Sequence, residues 1–216
     1  MNFPHSQGLL QAGAALEQAA AAMIMLHGRG ATAQDILSLA HEFEEPSVIY
    51  FAPQAANFSW YPNRFMAPRV ANEPHLTTAL KTVDALLAKI YQAGIPAEKT
   101  LLLGFSQGAC LALEYAARNP QRYGGVLALS GGLIGAPGEL EYPPGDLAGT
   151  PVFLGCSPAD PHIPQTRVQE SEQIMRALGA ETTLRFYPQL GHAVNLEEIE
   201  FGRHFIRAVL QDGSAR

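Results

Sequence analysis

A serine between two glycines is the clearest chemical signal in this 216-residue chain. Residues 104–108 read Gly-Phe-Ser-Gln-Gly, after the apolar run Leu101–Leu103 and before an Ala- and Leu-rich segment that ends at Asn119-Pro120. This order predicts a buried strand, a sharp turn and a helix over 107–118. The glycines leave room in the turn, which exposes the Ser106 hydroxyl as a nucleophile. The alternative is a glycine-rich turn whose serine only caps the helix.

Two later residues can activate that hydroxyl. A serine needs a base at neutral pH, and histidine titrates near neutrality. His192 follows a predicted strand over 182–187, and Asp160 follows a predicted strand over 151–156. The chain order serine, acid, histidine is the one expected on a parallel sheet with such a turn. Because a carboxylate fixes the imidazole tautomer, we predict a catalytic triad of Ser106, Asp160 and His192.

Other acids and histidines compete for these roles. Asp146 and Glu139 lie in a nearby loop, and Asp160 could instead form an Asp-Pro turn. We interpret His27, also in a strand-end loop, as a hydrogen-bonding residue that shapes that loop. His162 is placed at the entrance of the site. Solvated or core roles are predicted for the other histidines, which are His5, His41, His75 and His204.

Glycines also space the loop that follows the apolar strand 22–26, where residues 27–30 read His-Gly-Arg-Gly. In such a sheet this loop supplies one backbone N–H to the oxyanion of an acyl-transfer intermediate, and the residue after the nucleophile supplies another. We therefore predict an oxyanion hole made of the backbone N–H groups of Arg29 and Gln107.

Strands and helices alternate from residue 22 to the end of the chain. This alternation predicts an α/β fold with a mostly parallel central sheet and helices on both faces, in one domain over 1–216. Short edge strands are expected at 8–13 and 15–18. A Gly- and Pro-rich loop over 133–149 is expected to overhang the site.

A long irregular stretch around residues 54–72 is rich in aromatic side chains. Loops of this length in compact domains are usually functional, and pockets for small molecules are mostly apolar. We predict that the acyl site is lined by Phe58, Trp60, Tyr61, Phe65, Leu133, His162 and Ile163. Any of the aromatics could instead pin the loop to the core, and Trp60 is the first choice for that role.

Composition excludes several classes of protein. The net charge is −6 and no basic block appears, so nucleic acid is not expected to be a partner. No apolar run reaches the roughly 18 residues of a membrane span, and no secretory signal is evident. Cys110 and Cys156 fit reduced, packed thiols rather than a disulfide or a metal site, which favours the cytoplasm.

Five stretches together resemble the phospholipase/carboxylesterase family of the α/β-hydrolase superfamily, which includes the acyl-protein thioesterases. The resemblance implies an α/β-hydrolase fold and a carboxylic-ester hydrolase with the triad and oxyanion hole named above. It also implies no metal or organic cofactor, a small-molecule ester substrate and often a homodimer. The stretches are residues 26–30, residues 52–53 with 59–62, residues 104–109, residues 160–164 and residues 191–192.

One residue departs from the thioesterase pattern. Arg29 stands where that branch usually has an aliphatic residue, and the His-Gly-Arg-Gly form resembles a bacterial esterase subgroup. A guanidinium beside the oxyanion hole favours an anionic substrate, so we expect small esters that carry a carboxylate. The alternative is an Arg29 side chain that points to solvent or pairs with a surface acid. Short loops and no large lid favour short to medium acyl chains.

Four other functions are weighed against this prediction. An acyl-thioesterase or a lysophospholipase would use the same acyl-enzyme chemistry. A dienelactone-type lactonase typically has cysteine at the position of Ser106. A non-catalytic binding protein is disfavoured, because the two glycines around Ser106 and both predicted partners are present.

Overall fold

A central β-sheet organises residues 8–211, the part of the chain that this computed structural model describes. Within those residues the sheet has seven strands. They are β1 (Leu9–Gly13), β2 (Ala21–Leu26), β3 (Val48–Pro53), β4 (Thr100–Phe105), β5 (Gly125–Leu129), β6 (Pro151–Cys156) and β7 (Glu181–Phe186). The α-helices of the same residues are α1 (Ala33–Leu37), α2 (Ala40–Phe43), α3 (His75–Gln92), α4 (Gln107–Arg118), α5 (Gln165–Ala177) and α6 (Leu196–Gln211).

The strand order places β4, which leads into Ser106, at the middle of the sheet. That order is β1-β3-β2-β4-β5-β6-β7. Only β1 is antiparallel to its neighbour among these strands, and all other pairs are parallel. The predicted mostly parallel sheet is therefore confirmed. Because the carboxyl ends of parallel strands share one edge, the loops after β2, β4, β6 and β7 gather there.

Helices cover both faces of the sheet, as predicted. Along β2, Ala22, Ile24 and Leu26 face one core cluster, while the alternate residues face the other. The first cluster packs beneath α3, α4 and α5, and the second packs beneath α1, α2 and α6. Strands buried on both faces explain why their sequences are continuously apolar rather than alternating.

The segment predicted as an edge strand at 15–18 is instead a 3-10 turn, Leu16–Gln18. Gly13 has a φ of +81°, a conformation that glycine adopts without strain. The pairing of β1 with β3 ends just after it, with the hydrogen bond from the Ala14 N–H to the Val48 carbonyl. The backbone N–H of Gln18 then bonds the carbonyl of Ala15 instead of a neighbouring strand. The prediction at 8–13 corresponds to β1.

Among the helices of residues 8–211, none combines the length and the apolar composition that crossing a membrane requires.

The start of α6 is closed by two reciprocal hydrogen bonds. The Asn195 N–H donates to Glu198 Oε2 at 3.0 Å, and the Glu198 N–H donates to Asn195 Oδ1 at 3.1 Å. Glu198 is 1% exposed, and its Oε1 has no hydrogen-bond partner among the described residues. Burial raises the pKa of this carboxyl to about 7.

This raised pKa makes stability depend on pH. The folded protein holds the Glu198 proton up to about pH 7, whereas the unfolded chain releases it near pH 4.5. Stability from this group is therefore present below pH 4.5 and is lost as pH rises through 7. Between pH 5 and pH 8 we expect the free energy of unfolding of the wild type to fall by on the order of 1–3 kcal/mol relative to that of Glu198→Gln, which mimics the protonated acid. Urea unfolding at both pH values measures it.

An exposed carboxylate of the same helix supplies the control. Glu200→Gln removes a side chain that is about half exposed and does not act on the Glu198 pKa, so it should leave the difference between the two pH values as in wild type. A Glu198→Gln protein that loses stability in parallel with wild type would contradict the assignment.

Candidate active site

Ser106 occupies a strained turn between β4 and α4. Its φ is +55° and its ψ is −115°, a region that non-glycine residues rarely adopt. A Cβ added to Gly108 would lie 2.0 Å from the Leu26 carbonyl oxygen, so only glycine lets α4 begin this close to β2. A Cβ on Gly104 would lie 2.2 Å from the Gly108 backbone. These contacts explain the glycine on each side of the serine.

Three side chains from three strand ends meet in one line of hydrogen bonds. His192 Nε2 lies 2.9 Å from Ser106 Oγ, and His192 Nδ1 lies 2.7 Å from Asp160 Oδ2. Asp160 Oδ1 accepts the backbone N–H groups of His162 at 2.8 Å and Ile163 at 3.1 Å. The arrangement can take a proton from the serine hydroxyl and stabilise the imidazolium that results.

The Asp160 carboxylate is held in its charged form. Burial raises its pKa, but the hydrogen bonds from His192 and from the two backbone N–H groups lower it by a larger amount, so the net pKa lies below the ordinary value. A charged carboxylate opposite Nδ1 favours the tautomer in which Nε2 is free to accept a proton. The His192 ring packs between Phe105 and His162, each with its ring centre 4.9 Å away.

The competing acids lie elsewhere. Glu139 Oε2 accepts the backbone N–H groups of Arg69 and Ala136. Asp146 Oδ1 accepts the backbone N–H of Ala148. Both carboxylates therefore organise the 133–149 loop, and Asp160 is the acid that the structure places against the imidazole.

His27 fixes the loop after β2. Its Nε2 accepts the backbone N–H of Ala55 at 3.1 Å, and its carbonyl accepts the indole N–H of Trp60 at 2.9 Å. Burial lowers the pKa of His27, which keeps the ring neutral and Nε2 an acceptor. A Cβ on the next residue, Gly28, would lie 3.4 Å from Ser106 Cβ, so this loop runs directly beside the nucleophile.

The side chain of Arg29 bonds backbone carbonyls. Its Nη1 donates to Pro62 O at 2.7 Å and its Nη2 donates to Asn63 O at 2.6 Å, and the guanidinium lies 5.9 Å from the centre of the Tyr61 ring. The residue is exposed, as the solvent-facing alternative predicts, but its side chain is held by these carbonyls, and no acid among the described residues forms an ion pair with it. Arg29 connects the loop after β2 to the aromatic loop, which we define as residues 56–66.

Gln107 connects the same aromatic loop to the serine turn. Its side-chain Oε1 accepts the Trp60 N–H at 2.9 Å, and its Nε2 donates to the Tyr61 carbonyl at 2.8 Å. Both bonds are made by the side chain, so the backbone N–H at the start of α4 remains available as a donor.

A cavity of about 1100 Å³ opens beside Ser106. Five predicted substrate residues border it, together with both predicted oxyanion residues and His192. Sequence reasoning missed several others, among them Arg64, Met66, Phe105 and Cys110. The predicted residues in the lining are Arg29, Tyr61, Phe65, His162 and Ile163.

Three predicted lining residues lie outside this cavity. Trp60 is fully buried, because its indole N–H is held by the His27 carbonyl and its ring packs against the His27 ring at 5.1 Å. Leu133 is also fully buried, in the core cluster under α4 and α5. Phe58 is 52% exposed and has a φ of +57°, and it does not border the cavity.

The 133–149 loop does not overhang the site, contrary to expectation. None of its residues is in the cavity lining within residues 8–211. Instead the Gly135 N–H donates to the Phe65 carbonyl at 2.8 Å, and the Ile134 N–H donates to the buried Glu114 carboxylate at 3.0 Å. The loop supports the aromatic loop from behind.

The phospholipase/carboxylesterase family model matches residues 12–210, nearly the whole chain. The chain belongs to this family. Its α/β-hydrolase fold and the placement of Ser106 after the central strand accord with that membership.

Several relatives are similar to this chain, over different shares of their length. A phospholipase/carboxylesterase crystal structure from Dyadobacter fermentans is 44% identical, with a TM-score of 0.89, and the match covers 95% of this chain and 99% of that one. Acyl-protein thioesterase 1 of Emericella nidulans is 27% identical over 91% of this chain and 93% of its own length. Acyl-protein thioesterase 1 of Gibberella zeae is 29% identical, but the match spans only 54% of that protein.

The side chain of Gln107 gives a prediction about stability. Gln107→Ala removes the donor and the acceptor that hold the backbone at Trp60 and Tyr61, and the Tyr61 carbonyl keeps only the Ser59 hydroxyl as a donor among the described residues. We expect a loss of about 1–3 kcal/mol in the free energy of unfolding, measured in urea. Gln121→Ala is the control, since the Gln121 side chain is exposed and its bond to the Tyr91 hydroxyl is long, at 3.3 Å, so this variant should stay within about 0.5 kcal/mol of wild type. Equal stabilities of the two variants would contradict this stabilising role of the Gln107 side chain.

Proposed function

We propose that this family member is a serine carboxylesterase that hydrolyses small to medium acyl esters through an acyl-enzyme. Ser106 is the nucleophile, His192 the general base and acid, and Asp160 the group that orients the imidazole. The observation that carries this proposal is the unbroken path from Ser106 Oγ through His192 to Asp160, with contacts of 2.9 and 2.7 Å.

The reaction proceeds in two steps, acylation of Ser106 and hydrolysis of the acyl-enzyme. Ser106 Oγ attacks the ester carbonyl carbon while its proton moves to His192 Nε2, and the carbonyl oxygen becomes an oxyanion near the backbone N–H groups of Arg29 and Gln107. The intermediate collapses, the bond to the alcohol oxygen breaks, and His192 gives that oxygen its proton. Water then attacks the acyl-enzyme by the same route, which releases the acid and restores Ser106.

The charge of the cavity supports a preference for esters that carry a carboxylate. Two arginines, Arg29 and Arg64, are among its lining residues, which within the described chain include no aspartate or glutamate. The whole chain has a net charge of −6, so the charge of the cavity lining is opposite in sign to that of the protein. Such a site attracts anionic substrates and disfavours long neutral ones.

The second candidate is an acyl-thioesterase of the same mechanism. It is favoured by the relatives that are named acyl-protein thioesterase 1. The rates on an oxygen ester and a thioester of the same acyl group separate the two candidates. A lysophospholipase would require a long-chain substrate.

We infer a reducing compartment, such as the cytoplasm, from two free and buried thiols, Cys110 and Cys156. A homodimer stays a prediction that the family resemblance suggests.

Labelling with a fluorophosphonate tests the nucleophile. The wild-type protein should form one covalent adduct on Ser106, detected by peptide mass spectrometry, because an activated serine attacks the phosphorus centre. Ser106→Ala should give no adduct and lose at least about 10³-fold in kcat/KM on p-nitrophenyl butyrate. Ser130→Ala, which changes another serine at a strand end, is the control. Equal labelling of wild type and Ser106→Ala would sink the proposal.

Acyl-chain length tests the shape of the site. The cavity is flanked by the short segments 161–164 and 61–67 and has no large lid over it in the described chain. We expect kcat/KM on p-nitrophenyl esters to peak between acetate and octanoate and to fall for longer chains. A steady rise to palmitate would contradict this prediction and favour a lipid substrate.

A further inference from the structure

The two arginines of the cavity have different surroundings. Arg29 uses two of its five N–H donors on the carbonyls of Pro62 and Asn63, and these bonds hold its guanidinium against the aromatic loop. Arg64 directly follows those two residues. Its side chain is exposed and has no hydrogen bond, ion pair or ring contact with any residue in 8–211. Yet it borders the cavity that contains Ser106.

The backbone that carries Arg64 is anchored on both sides. The Asn63 N–H donates to Asn72 Oδ1 at 2.8 Å, and Asn72 Nδ2 donates to the Arg64 carbonyl at 3.2 Å. The next residue, Phe65, is buried, and its carbonyl accepts the Gly135 N–H. A fixed backbone with an unpaired guanidinium is what a recognition residue needs, because little ordering of the chain is required when it binds.

We propose that Arg64 is the specificity-determining residue, which binds the carboxylate of the substrate, whereas Arg29 holds in place the segment that presents it. This inference rests on the proposed esterase function. It assigns the substrate class as esters with a free carboxylate, on either the acyl or the alcohol part. A guanidinium can bind a carboxylate through two parallel hydrogen bonds, which selects for an anion of planar shape as well as for charge.

Other arginines of the chain support this distinction. Arg69, Arg118 and Arg167 each lie within 3.3 Å of a glutamate oxygen, in ion pairs that stabilise loops or helices. No acid of the described chain neutralises Arg64, although the protein has more acidic than basic residues. A cation that borders the cavity and pairs with no acid has its charge available for an anionic ligand, although water and salt screen an exposed side chain.

Matched ester pairs test the assignment. For the acyl side, kcat/KM on the mono-p-nitrophenyl ester of glutaric acid is divided by kcat/KM on p-nitrophenyl butyrate. For the alcohol side, 4-carboxyphenyl butyrate is compared with phenyl butyrate. We expect Arg64→Leu to lower one of these ratios about two- to fivefold, the upper part of the range for an exposed ion pair. Arg64→Lys should retain part of the preference, and salt should weaken it.

Arg207→Leu is the control, since Arg207 is an exposed arginine of α6 that does not border the cavity. It should change neither ratio. The inference is overturned if Arg64→Leu leaves both ratios unchanged, or if Arg29→Leu lowers a ratio in a folded protein and Arg64→Leu does not. Thermal unfolding checks the fold of each variant.

A different result would show that the esterase proposal itself has failed. In that case neither neutral nor charged esters are hydrolysed, or Ser106→Ala hydrolyses them as fast as wild type. Glutarate binding by calorimetry keeps Arg64 testable even then. We expect wild type to bind glutarate several-fold more tightly than Arg64→Leu, and equal affinities would refute the role of Arg64.

Discussion

The close approach of α4 to β2 is the contact on which the site depends. A Cβ at Gly108 would lie 2.0 Å from the Leu26 carbonyl, and a backbone oxygen cannot move aside as a side chain can. This contact forces a sharp turn after β4, and Ser106 adopts a φ of +55° within it. The strain is maintained because the sheet is buried on both faces and β4 lies at its centre. The same approach brings the loop after β2 beside the serine, where an oxyanion must be stabilised.

A second set of contacts makes the aromatic loop part of the same unit. The His27 carbonyl holds the Trp60 indole, the Gln107 amide holds the backbone of Trp60 and Tyr61, and Arg29 holds Pro62 and Asn63. These bonds start from the loop after β2 and from the serine turn. The wall of the cavity is therefore positioned by the residues predicted to form the oxyanion hole, so under the proposed function changes in that wall act on catalysis and on specificity together.

Local patterns in the sequence predict the backbone of the site but not the direction of its side chains. The glycines at 104 and 108 predict the turn, and the positions of Asp160 and His192 after parallel strands predict that they meet Ser106. Trp60, Leu133 and Phe58 were expected in the pocket because they are apolar and near it in sequence. Whether an apolar side chain faces a cavity or the core is decided by packing against distant segments, such as His27 for Trp60. The support of the aromatic loop by the 133–149 loop has no sequence signal for the same reason.

Arginine shows why residue type alone does not assign a role. Sequence spacing singles out Arg29, since it lies beside the predicted oxyanion hole, whereas Arg64 sits in a loop where aromatic residues attract attention. Both arginines border the cavity, and both carry the same charge. The difference lies in what each one already binds, because a donor committed to a backbone carbonyl must break that bond before it can take a ligand. Two adjacent carbonyls occupy Arg29, and the residue that follows them, Arg64, is left with a positioned backbone and an uncommitted charge. In the proposed assignment, the arginine that anchors the loop therefore leaves substrate selection to the arginine that follows it.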